Sequence, residues 1–424
     1  MPNDGEHRNM SEDLRGPPLL VIKGSFAQFG GAERDVVRQL EAWSRVFDEV
    51  RIATLHSHPE LDAEANRLGI PLFTPASPWK EGSSALDRIT ASSSRAASKS
   101  WRRFLTNGGK TGAFAKALSG IKAIHLISGA GSLEVVDILP IGMPVHVHML
   151  EPNRGLHGET ALWARIDGSQ PRPIALTRLL LTIPRRRDKR LVNRLAGRNR
   201  CRFSGNSPYI QSRIKEVFDI DAGVFLPCVD TVLWSAKKDV KVTDSLHVVT
   251  IGRASWVKGT WECIDMLAGS KLKLVLVGGG DPSDIEKLKE HAEKNQVVLE
   301  VAPRLEHTEL VELMASARAV ISLAHGEPFG LTPVEAHAVG TPALMIDEGG
   351  FRTTVEDGVS GRLLPRDDKN AWTQAFDEAA NPEIRSKWSI AGKKKIEELG
   401  LDSDSRARDL LSIIQSQINQ NQIS

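Results

Sequence analysis

Short apolar runs that alternate with longer segments of helical periodicity constrain the fold of this chain more than any other feature. In the first half the runs are PLLVIKG (18–24), EVRIATL (49–55), IKAIHLI (121–127), MPVHVHML (143–150) and GVFLP (223–227). In the second half they are LHVVTIG (246–252), LKLVLVG (272–278), QVVLEV (296–301), ARAVISL (317–323) and PALMI (342–346). Several are apolar on both faces, which is typical of buried parallel strands. The alternation predicts an α/β protein with two doubly wound, Rossmann-like sheets.

The boundary between two domains is expected within residues 227–244, where a predicted strand ends at Pro227 and a Lys-rich polar segment follows. We therefore predict a first domain over 1–232 and a second over 240–390. Helices over 391–424 carry an apolar stripe and are expected to return to the first domain.

Two other segments have compositions unlike the rest of the chain. Residues 76–112 are rich in Ser, Gly and basic side chains, and they predict a mobile surface excursion that is helical around Ser93–Phe104. The polar residues 1–17 are predicted to be disordered. GGKTG (108–112) looks like a phosphate-binding P-loop, but a Phe stands where that motif needs its first Gly and no apolar strand precedes it.

Composition and cysteine usage exclude several classes of protein. A chain of 424 residues can form two or three domains with proper cores. Cys201, Cys228 and Cys263 lack metal-like spacing and favour reduced thiols in a cytosolic setting. The N-terminus has no signal-peptide-like stretch, and no run approaches the roughly 20 apolar residues that span a bilayer. We expect a cytoplasmic protein that is soluble or lies on the cytoplasmic face of a membrane.

The stretch HGEPFGLTPVEAHAVGTP (325–342) follows a predicted strand and predicts a ligand site. We expect a short helix that begins near Thr332 or Pro333 and ends at Gly340. A loop and helix start at the carboxyl end of a strand is where α/β sheets bind ligands. Free backbone N–H groups there can donate to phosphate oxygens, helped by the helix dipole; they are those of Phe329, Gly330, Leu331 and Thr332.

Glu327 and Glu335 lie on either side of this phosphate-binding turn. Glu335, one turn into the helix, can accept paired hydrogen bonds from vicinal ribose hydroxyls, and Glu327 can do the same for a sugar hydroxyl. The spacing predicts a ligand with hydroxyl groups on both sides of its phosphates. The alternative is that these acids are an ordinary loop residue and an ordinary helix-face residue.

Three further glycine turns follow predicted strands. IGRASWVKGT (251–260) places the cations Arg253 and Lys258 beside Gly252, an arrangement suited to a diphosphate, although ordinary surface charges are the alternative. GGGDPSD (278–284) includes Gly279 and permits close backbone approach to a ligand. GSFAQFGGAERDVVRQL (24–40) begins a helix at the pair Gly30 and Gly31.

In this order, GGAER, a His-bearing strand, SGNSPYI, IGR with KG, EPFGLTPVEAHAVGTP and GGFRTTVEDGVSGRLL resemble a retaining glycosyltransferase of the GT-B fold, family-4 type. The resemblance runs from about residue 20 to 365. More loosely, GGFR and EPNR are similar to the dolichol-pathway mannosyltransferases. Two departures concern the sugar contacts: Thr353 and Thr354 stand where the subgroup has an acid, and Met149 and Leu150 stand where it has a histidine.

The resemblance implies a role for each matching residue. Arg253 and Lys258 would hold the donor diphosphate, Glu335 the donor ribose, and Glu327 with the Phe329–Leu331 turn the transferred sugar. Gly30 and Gly31 would let the first domain approach the phosphates. The family's histidine in the first domain maps onto His146 or His148, and we favour His148 because it lies nearer the strand end.

The resemblance also implies front-face transfer of a hexose from a nucleoside-diphosphate sugar, with retained configuration and with no metal or other cofactor. The acceptor would be a glycan or a lipid-linked molecule. His146 and His148 could form a metal pair, but a third ligand with suitable local spacing is missing. A catalytically silent sugar-nucleotide-binding or scaffold protein and a GT-B sugar-nucleotide epimerase are the alternatives.

The segment 160–200 is strongly basic. It can be a solvated face, a nucleic-acid site or a surface that lies on anionic lipid. Nucleic acid is disfavoured because Trp163 is the one aromatic side chain in the segment that could stack on bases. The segment favours a surface that lies on anionic lipid, because apolar side chains and cations are mixed in RLLLTIPRRRDKRLVNRL. The expected membrane or acceptor patch is Arg185, Arg186, Arg187 and Arg190.

Overall fold

The computed structural model describes residues 15–82, 84–107, 113–158, 164–231, 233–234 and 245–419. The predictions for residues 1–14, for GGKTG, for Trp163 and for most of the expected interdomain segment lie outside these residues. Within them, no helix is both long enough and apolar enough to cross a membrane.

Two parallel sheets organise the described part of the chain, as the strand pattern predicted. The strands of the first sheet are Leu19–Lys23 (β1), Val50–Ala53 (β2), Leu72–Phe73 (β3), Ala123–Ile127 (β4), Val145–Met149 (β5), Cys201–Gly205 (β6) and Gly223–Val224 (β7). Those of the second are His247–Ile251 (β8), Lys273–Val277 (β9), Leu299–Ala302 (β10), Ala319–Ser322 (β11), Ala343–Ile346 (β12) and Gly361–Leu364 (β13).

Helices connect successive strands. In the first domain they are Gly31–Val46 (α1), Pro59–Leu68 (α2), Ala85–Thr90 (α3), Ser92–Asn107 (α4), Phe114–Leu118 (α5), Arg154–His157 (α6), Ile174–Leu180 (α7), Thr182–Ala196 (α8) and Pro208–Phe218 (α9). The later helices are Thr260–Leu267 (α10), Pro282–Lys294 (α11), His307–Ser316 (α12), Leu331–Val339 (α13), Phe351–Thr354 (α14), Lys369–Ala380 (α15), Pro382–Leu399 (α16) and Ser403–Asn419 (α17). Short 3₁₀ turns cover Leu133–Asp137 and Trp256–Lys258.

Both sheets have the strand order of a doubly wound fold. The first runs β3-β2-β1-β4-β5-β6-β7 and the second β10-β9-β8-β11-β12-β13, with parallel pairing throughout. In each sheet the order reverses next to the first strand, between β1 and β4 and between β8 and β11. Ligands of such sheets bind at the carboxyl ends of the strands beside this reversal. The topology therefore positions a site at the loops after β1, β8 and β11.

The last helix, α17, returns to the first domain. Leu410 and Ile414 share an apolar cluster with Trp43 of α1 and with Phe47, which follows it. The Gln417 amide donates to the carbonyl oxygen of Val145 at 2.9 Å, so the helix reaches the start of β5. This packing joins the end of the chain to the sheet that begins it.

The expectation of a surface excursion over 76–112 is wrong for its helical part. Trp101 and Phe104 of α4 are fully buried against Phe114, and the Trp101 indole donates to the carbonyl oxygen of Gly131 at 2.7 Å. The Ser- and Arg-rich composition hid an apolar stripe of residues 97, 101 and 104, which has helical spacing and faces the core.

Strand β6 was missed because its sequence, CRFSG, has no apolar run. It is nevertheless an inner strand, paired with β5 on one side and β7 on the other. Phe203 alone supplies a large apolar side chain, while Ser204 faces a buried histidine. Its strand state is therefore set by sheet pairing and not by side-chain pattern.

Candidate active site

The carboxyl ends of the two sheets face each other across a cleft, and two helix N-termini meet there. A Cβ atom built on Gly31, the first residue of α1, would lie 3.3 Å from Cδ1 of Leu331, the first residue of α13. Gly31 thus brings the first domain as close to the second as contact distance allows. The glycine pair of the GGAER motif was predicted to permit such an approach, and the position of Leu331 shows what it approaches.

Helix α13 begins at Leu331, one residue before the nearer of the two predicted starts. Gly330 precedes it with φ 94°, a left-handed conformation that disfavours other residues, and a Cβ there would lie 2.9 Å from the Phe351 ring. The Phe329 side chain is buried in the core of the second domain. Among the described groups, none accepts from the backbone N–H groups that the sequence singled out; they are those of Phe329, Gly330, Leu331 and Thr332. These donors remain open to a ligand, as expected of a helix start.

The glycines of the GGFR motif shape the loop that carries Glu327. A Cβ on Gly349 would lie 2.6 Å from the carbonyl oxygen of Glu327, which is closer than any side chain can be placed. The backbone N–H of Gly350 donates to that same oxygen at 2.7 Å. Backbone contacts therefore hold the loop after β11 close to the turn after β12.

Lys258 and Glu327 form an ion pair in the cleft. Lys258 Nζ lies 2.9 Å from Glu327 Oε2, with side chains that are 40% and 19% exposed. Lys258 is aimed by the turn at Gly259, where φ is 67° and a Cβ would lie 2.1 Å from the carbonyl oxygen of Leu323. Burial by itself would raise the pKa of Glu327, but the charges of Lys258 and Arg154 outweigh it and hold that pKa below its ordinary value. The Glu327 carboxylate is therefore ionised at neutral pH.

Glu335 faces the same ion pair from the first turns of α13. Its partly buried position raises the pKa of the carboxyl to about 7, and the negative charge of Glu327 adds to this. The positive charges of Arg38 and Lys258 act against the rise. Because Arg38 belongs to α1, a first-domain cation lies near Glu335 across the cleft. Sequence reasoning gave no role to Arg38, since only the facing of the two sheets brings it there.

Arg253 lies at the exposed rim of this site. Two glycine turns pack beneath it: Gly252 has φ 141°, and a Cβ on Gly278 would lie 2.9 Å from the backbone of Gly252. Gly279, with φ 63°, has open space where its Cβ would be. The two turns predicted to approach a ligand are therefore adjacent, and the Arg253 side chain beside them is exposed.

The two candidate histidines on β5 do not lie on the surface of the cleft. His146 and His148 of β5 are fully buried, and His148 is only 1% exposed. His125 of β4, which the sequence gave no reason to single out, stacks on both rings and places its Nδ1 3.0 Å from Nδ1 of His146. Burial lowers the pKa of His146 and of His148 to about 3, so both are neutral. No described contact joins His148 to Lys258 or Glu327, and its sugar-contacting role stays a prediction.

A buried ion pair fixes the start of α1. Lys23 Nζ, at the end of β1, lies 3.0 Å from Glu33 Oε1, and the other oxygen of Glu33 accepts from the backbone N–H of Gly30 at 2.9 Å. This capping arrangement holds Gly30 and Gly31 in place at the edge of the cleft. Lys23 was missed because one Lys at a strand end carries no recognisable pattern.

Comparison with known proteins identifies the second domain. Residues 235–395 match the family model of glycosyl transferases group 1. The second domain is therefore similar to this family over that range. The chain is 35% identical over 140 residues to D-inositol 3-phosphate glycosyltransferase of Xylanimonas cellulosilytica, covering 31% of this chain and 33% of that one. It is 31% identical over 147 residues to glycogen synthase of Mycobacterium tuberculosis, covering 33% of this chain and 35% of that one. The matched part is thus about a third of the length of these curated relatives.

Solved structures match over nearly the whole chain. Sucrose-phosphate synthase of Thermosynechococcus elongatus aligns with a TM-score of 0.68 and 17% identity, covering 96% of this chain and all of that one. HepE of Anabaena, solved with UDP and glucose, aligns with a TM-score of 0.64 and 16% identity, covering 94% of this chain and 100% of that one. The chain therefore has a GT-B fold, and residues 235–395 lie in its second half. At these identities the likeness shows the fold alone.

The predicted membrane or acceptor patch divides into two pairs. Arg185 Nε donates to the carbonyl oxygen of Leu156, and Arg187 donates to Ser94 Oγ at 2.6 Å, so both hold α8 against the first domain. Arg185 and Arg187 are half-buried by these contacts, and their part in a membrane or acceptor patch stays a prediction. Arg186 and Arg190 are exposed.

Proposed function

We propose that this protein is an enzyme that transfers a hexose from a nucleoside-diphosphate sugar to an acceptor hydroxyl with retention of configuration. The observation that carries the proposal is the Lys258–Glu327 pair beside the open N-terminus of α13, with Glu335 in the same charge cluster. Cations and free N–H groups suit a diphosphate, and acids on either side suit hydroxyl groups. The group 1 family of the second domain supports the same class of reaction.

Each group would have a defined partner in the bound donor. The N–H groups at the start of α13, with Lys258 and Arg253, would bind the diphosphate. Lys258 has three donors, so it can keep its bond to Glu327 and still face a phosphate oxygen. Glu335 would accept from ribose hydroxyls, and Glu327 from a hydroxyl of the transferred sugar.

The proposed step breaks the bond between the anomeric carbon and the donor phosphate oxygen and forms a bond from that carbon to the acceptor oxygen on the same face. The acceptor's proton passes to the departing phosphate oxygen, so the atoms balance without a carboxylate nucleophile. Negative charge develops on the leaving diphosphate, where Lys258 and the start of α13 would stabilise it. Because protein groups neutralise this charge, we expect turnover to continue in the presence of a chelator such as EDTA.

A panel of nucleoside diphosphates and their sugars tests the proposal. Uridine diphosphate sugars come first, since HepE was solved with UDP. A ligand at 100 times its dissociation constant should raise the free energy of unfolding by roughly 2.7 kcal/mol. Donor hydrolysis or transfer supports the proposal. Interconversion of the sugar would indicate an epimerase, and binding without turnover a silent binding protein; either result contradicts it.

For the acceptor side, we propose contact with an anionic membrane, which suits a lipid-linked acceptor. Helices α7 and α8 form one nearly continuous path through Leu181, whose N–H donates to the carbonyl of Thr177. Along this path, exposed side chains recur every three or four residues and form one stripe; they are Leu176, Leu179, Ile183, Arg186 and Arg190. Apolar side chains beside cations are typical of helices that lie in a lipid interface.

Vesicle co-sedimentation at low salt tests this contact. We expect the wild type to bind vesicles that contain phosphatidylglycerol more strongly than neutral phosphatidylcholine vesicles, and R186Q/R190Q to lose most of the difference. Each cation near the surface contributes about 1 kcal/mol. The control K393Q/K394Q removes the same charge from α16 and should bind as the wild type does. Equal binding by R186Q/R190Q and the wild type would contradict the proposal.

A further inference from the structure

Four consecutive backbone carbonyl groups in the Glu327 loop each accept a hydrogen bond. Three of these four bonds come from two residues of the first domain, Arg154 and Ser207. Arg154 donates to the carbonyl oxygens of His325 and Gly326, at 3.0 and 2.9 Å. The Ser207 hydroxyl donates to that of Pro328. The Glu327 carbonyl accepts from the second domain's own Gly350. The loop that presents the Glu327 carboxylate is therefore held by both domains: the first binds three of these carbonyl groups, and the second adds the Gly350 bond and accepts the His325 N–H at the Val257 carbonyl.

Both first-domain donors are themselves fixed. The Arg154 guanidinium is oriented by Glu151, which accepts from Nε at 3.1 Å and from Nη2 at 2.9 Å. Ser207 is the N-cap of α9, where its Oγ accepts from the backbone N–H of Ile210 at 3.1 Å. Arg154 follows β5 and Ser207 follows β6, so adjacent strands of one sheet aim both groups at the same loop.

The two donors act on position, and Arg154 also acts on charge. A planar guanidinium can bind two carbonyl groups at once, which a single ammonium cannot do with the same geometry. Its positive charge is among the influences that lower the pKa of Glu327. Removing Arg154 should therefore loosen the loop and also make the carboxylate easier to protonate.

We propose that Arg154 and Ser207 are positioning residues that hold the Glu327 loop of the second domain in its sugar-binding geometry. Neither needs to touch the donor; they act through the carbonyl groups of residues 325, 326 and 328. The inference rests on the proposed function for its consequence in catalysis, but not for its effect on the loop. Opening of the cleft would break the three bonds from the first domain and leave the loop with the contacts of its own domain.

Three variants separate this role from a merely structural tie between domains. R154Q removes the positive charge and the paired N–H donors of the guanidinium. R154K keeps the charge but loses the planar pair of donors. S207G removes the hydroxyl donor while keeping most of the helix cap, since Gly at an N-cap costs only a few tenths of a kcal/mol relative to Ser. The matched control is R213Q: Arg213 lines the same interdomain cavity of about 230 Å³ as Arg154 but pairs with Glu216 on its own helix.

Turnover gives the first readout. We expect R154Q and S207G to lower kcat/KM about 10- to 100-fold, because displacement of a binding group by about 1 Å has effects of this size. R154Q should also move the acid limb of the pH profile to higher pH, whereas R154K should lose rate without moving the limb. R213Q should match the wild type in both respects. A loss of rate in R154Q with an unmoved acid limb, or an equal loss in R213Q, overturns the proposal.

Hydrogen–deuterium exchange of the backbone amides in 324–331 gives a second readout that needs no turnover. Exchange should be faster in R154Q and S207G than in the wild type, and unchanged in R213Q. Unchanged exchange in both R154Q and S207G overturns the positioning role even if the protein proves to be a transferase. Faster exchange in a protein that turns over no donor supports the positioning of the loop and refutes only the proposed function.

Discussion

Both domains turn the carboxyl ends of their sheets toward one cleft. The side chains at these two edges differ in exposure and in pairing. In the second domain, Lys258 and Glu327 are partly exposed, and the N–H groups of α13 have no described protein partner. In the first, Lys23 and His148 are buried, and Lys23 is paired with Glu33. The difference teaches that sharing a fold does not mean sharing a task. The second-domain edge leaves charged groups partly exposed in the cleft, whereas the first-domain edge uses its Lys23 within the domain.

Removing the core side chain that anchors α4 should give the largest effect and confine it to the first domain. W101A should lower the free energy of unfolding by about 3–5 kcal/mol, because a fully buried Trp leaves a large cavity. Urea denaturation measures this, with W261A as the control, since Trp261 is a partly buried second-domain residue stacked on His291. A loss smaller than that of W261A would mean that α4 is a surface element after all.

Removing the carboxylate of the ion pair should affect activity and not folding. E327A should lower kcat about 100- to 1000-fold, which is the cost of losing one preorganised group at the reacting centre. The melting temperature should stay close to that of the wild type, because the side chain lies at the cleft. The control E300Q alters an exposed pair with Lys273. Full activity in E327A would remove Glu327 from the mechanism.

Replacing a buried histidine of the first domain should reduce sensitivity to acid. The pKa of His148 is about 3 in the folded protein and about 6.5 when unfolded, so between these values only the unfolded chain takes up the proton. Stability is therefore lost as the pH falls below 6.5. From pH 7 to 5 the wild type should lose about 2 kcal/mol more than H148Q. Denaturation at both pH values measures it, and equal losses would contradict burial of this ring.

Replacing Glu335 should change the pH dependence of stability by less than replacing His148, and in the opposite direction. The pKa of Glu335 is about 7 in the folded protein and 4.5 ordinarily, so between these values only the folded chain holds the proton. Wild-type stability falls as the pH rises through this window. E335Q should therefore be more stable than the wild type at pH 8, by about 1 kcal/mol once solvent screening is allowed for, and no more stable at pH 4. An advantage that is larger at pH 4 would contradict the raised pKa.

Much of the fold could be predicted from the sequence because buried parallel strands are short runs of consecutive apolar residues. Runs such as LKLVLVG are apolar on both faces, and each lies on a strand of the structure. Strand β6 and the burial of helix α4 were not predicted, for the same reason: both are part of the core because of the elements they pack against. The pairing of CRFSG with β5 and the burial of Trp101 are set by residues far away in the chain.

By itself, the sequence determined the glycine turns and the helix start at this edge of the second domain, because turns and helix starts depend on neighbouring residues in the chain. The glycines at 252, 259 and 330 require special backbone angles, and the stretch from Glu327 to Glu335 has a spacing that a helix start explains. Only the tertiary structure decided how this edge is completed. Arg38, Arg154 and Ser207 come from elements more than a hundred residues earlier, and their contacts with the edge exist because two separately folded sheets face each other. No local pattern can encode a contact whose geometry depends on the docking of two domains.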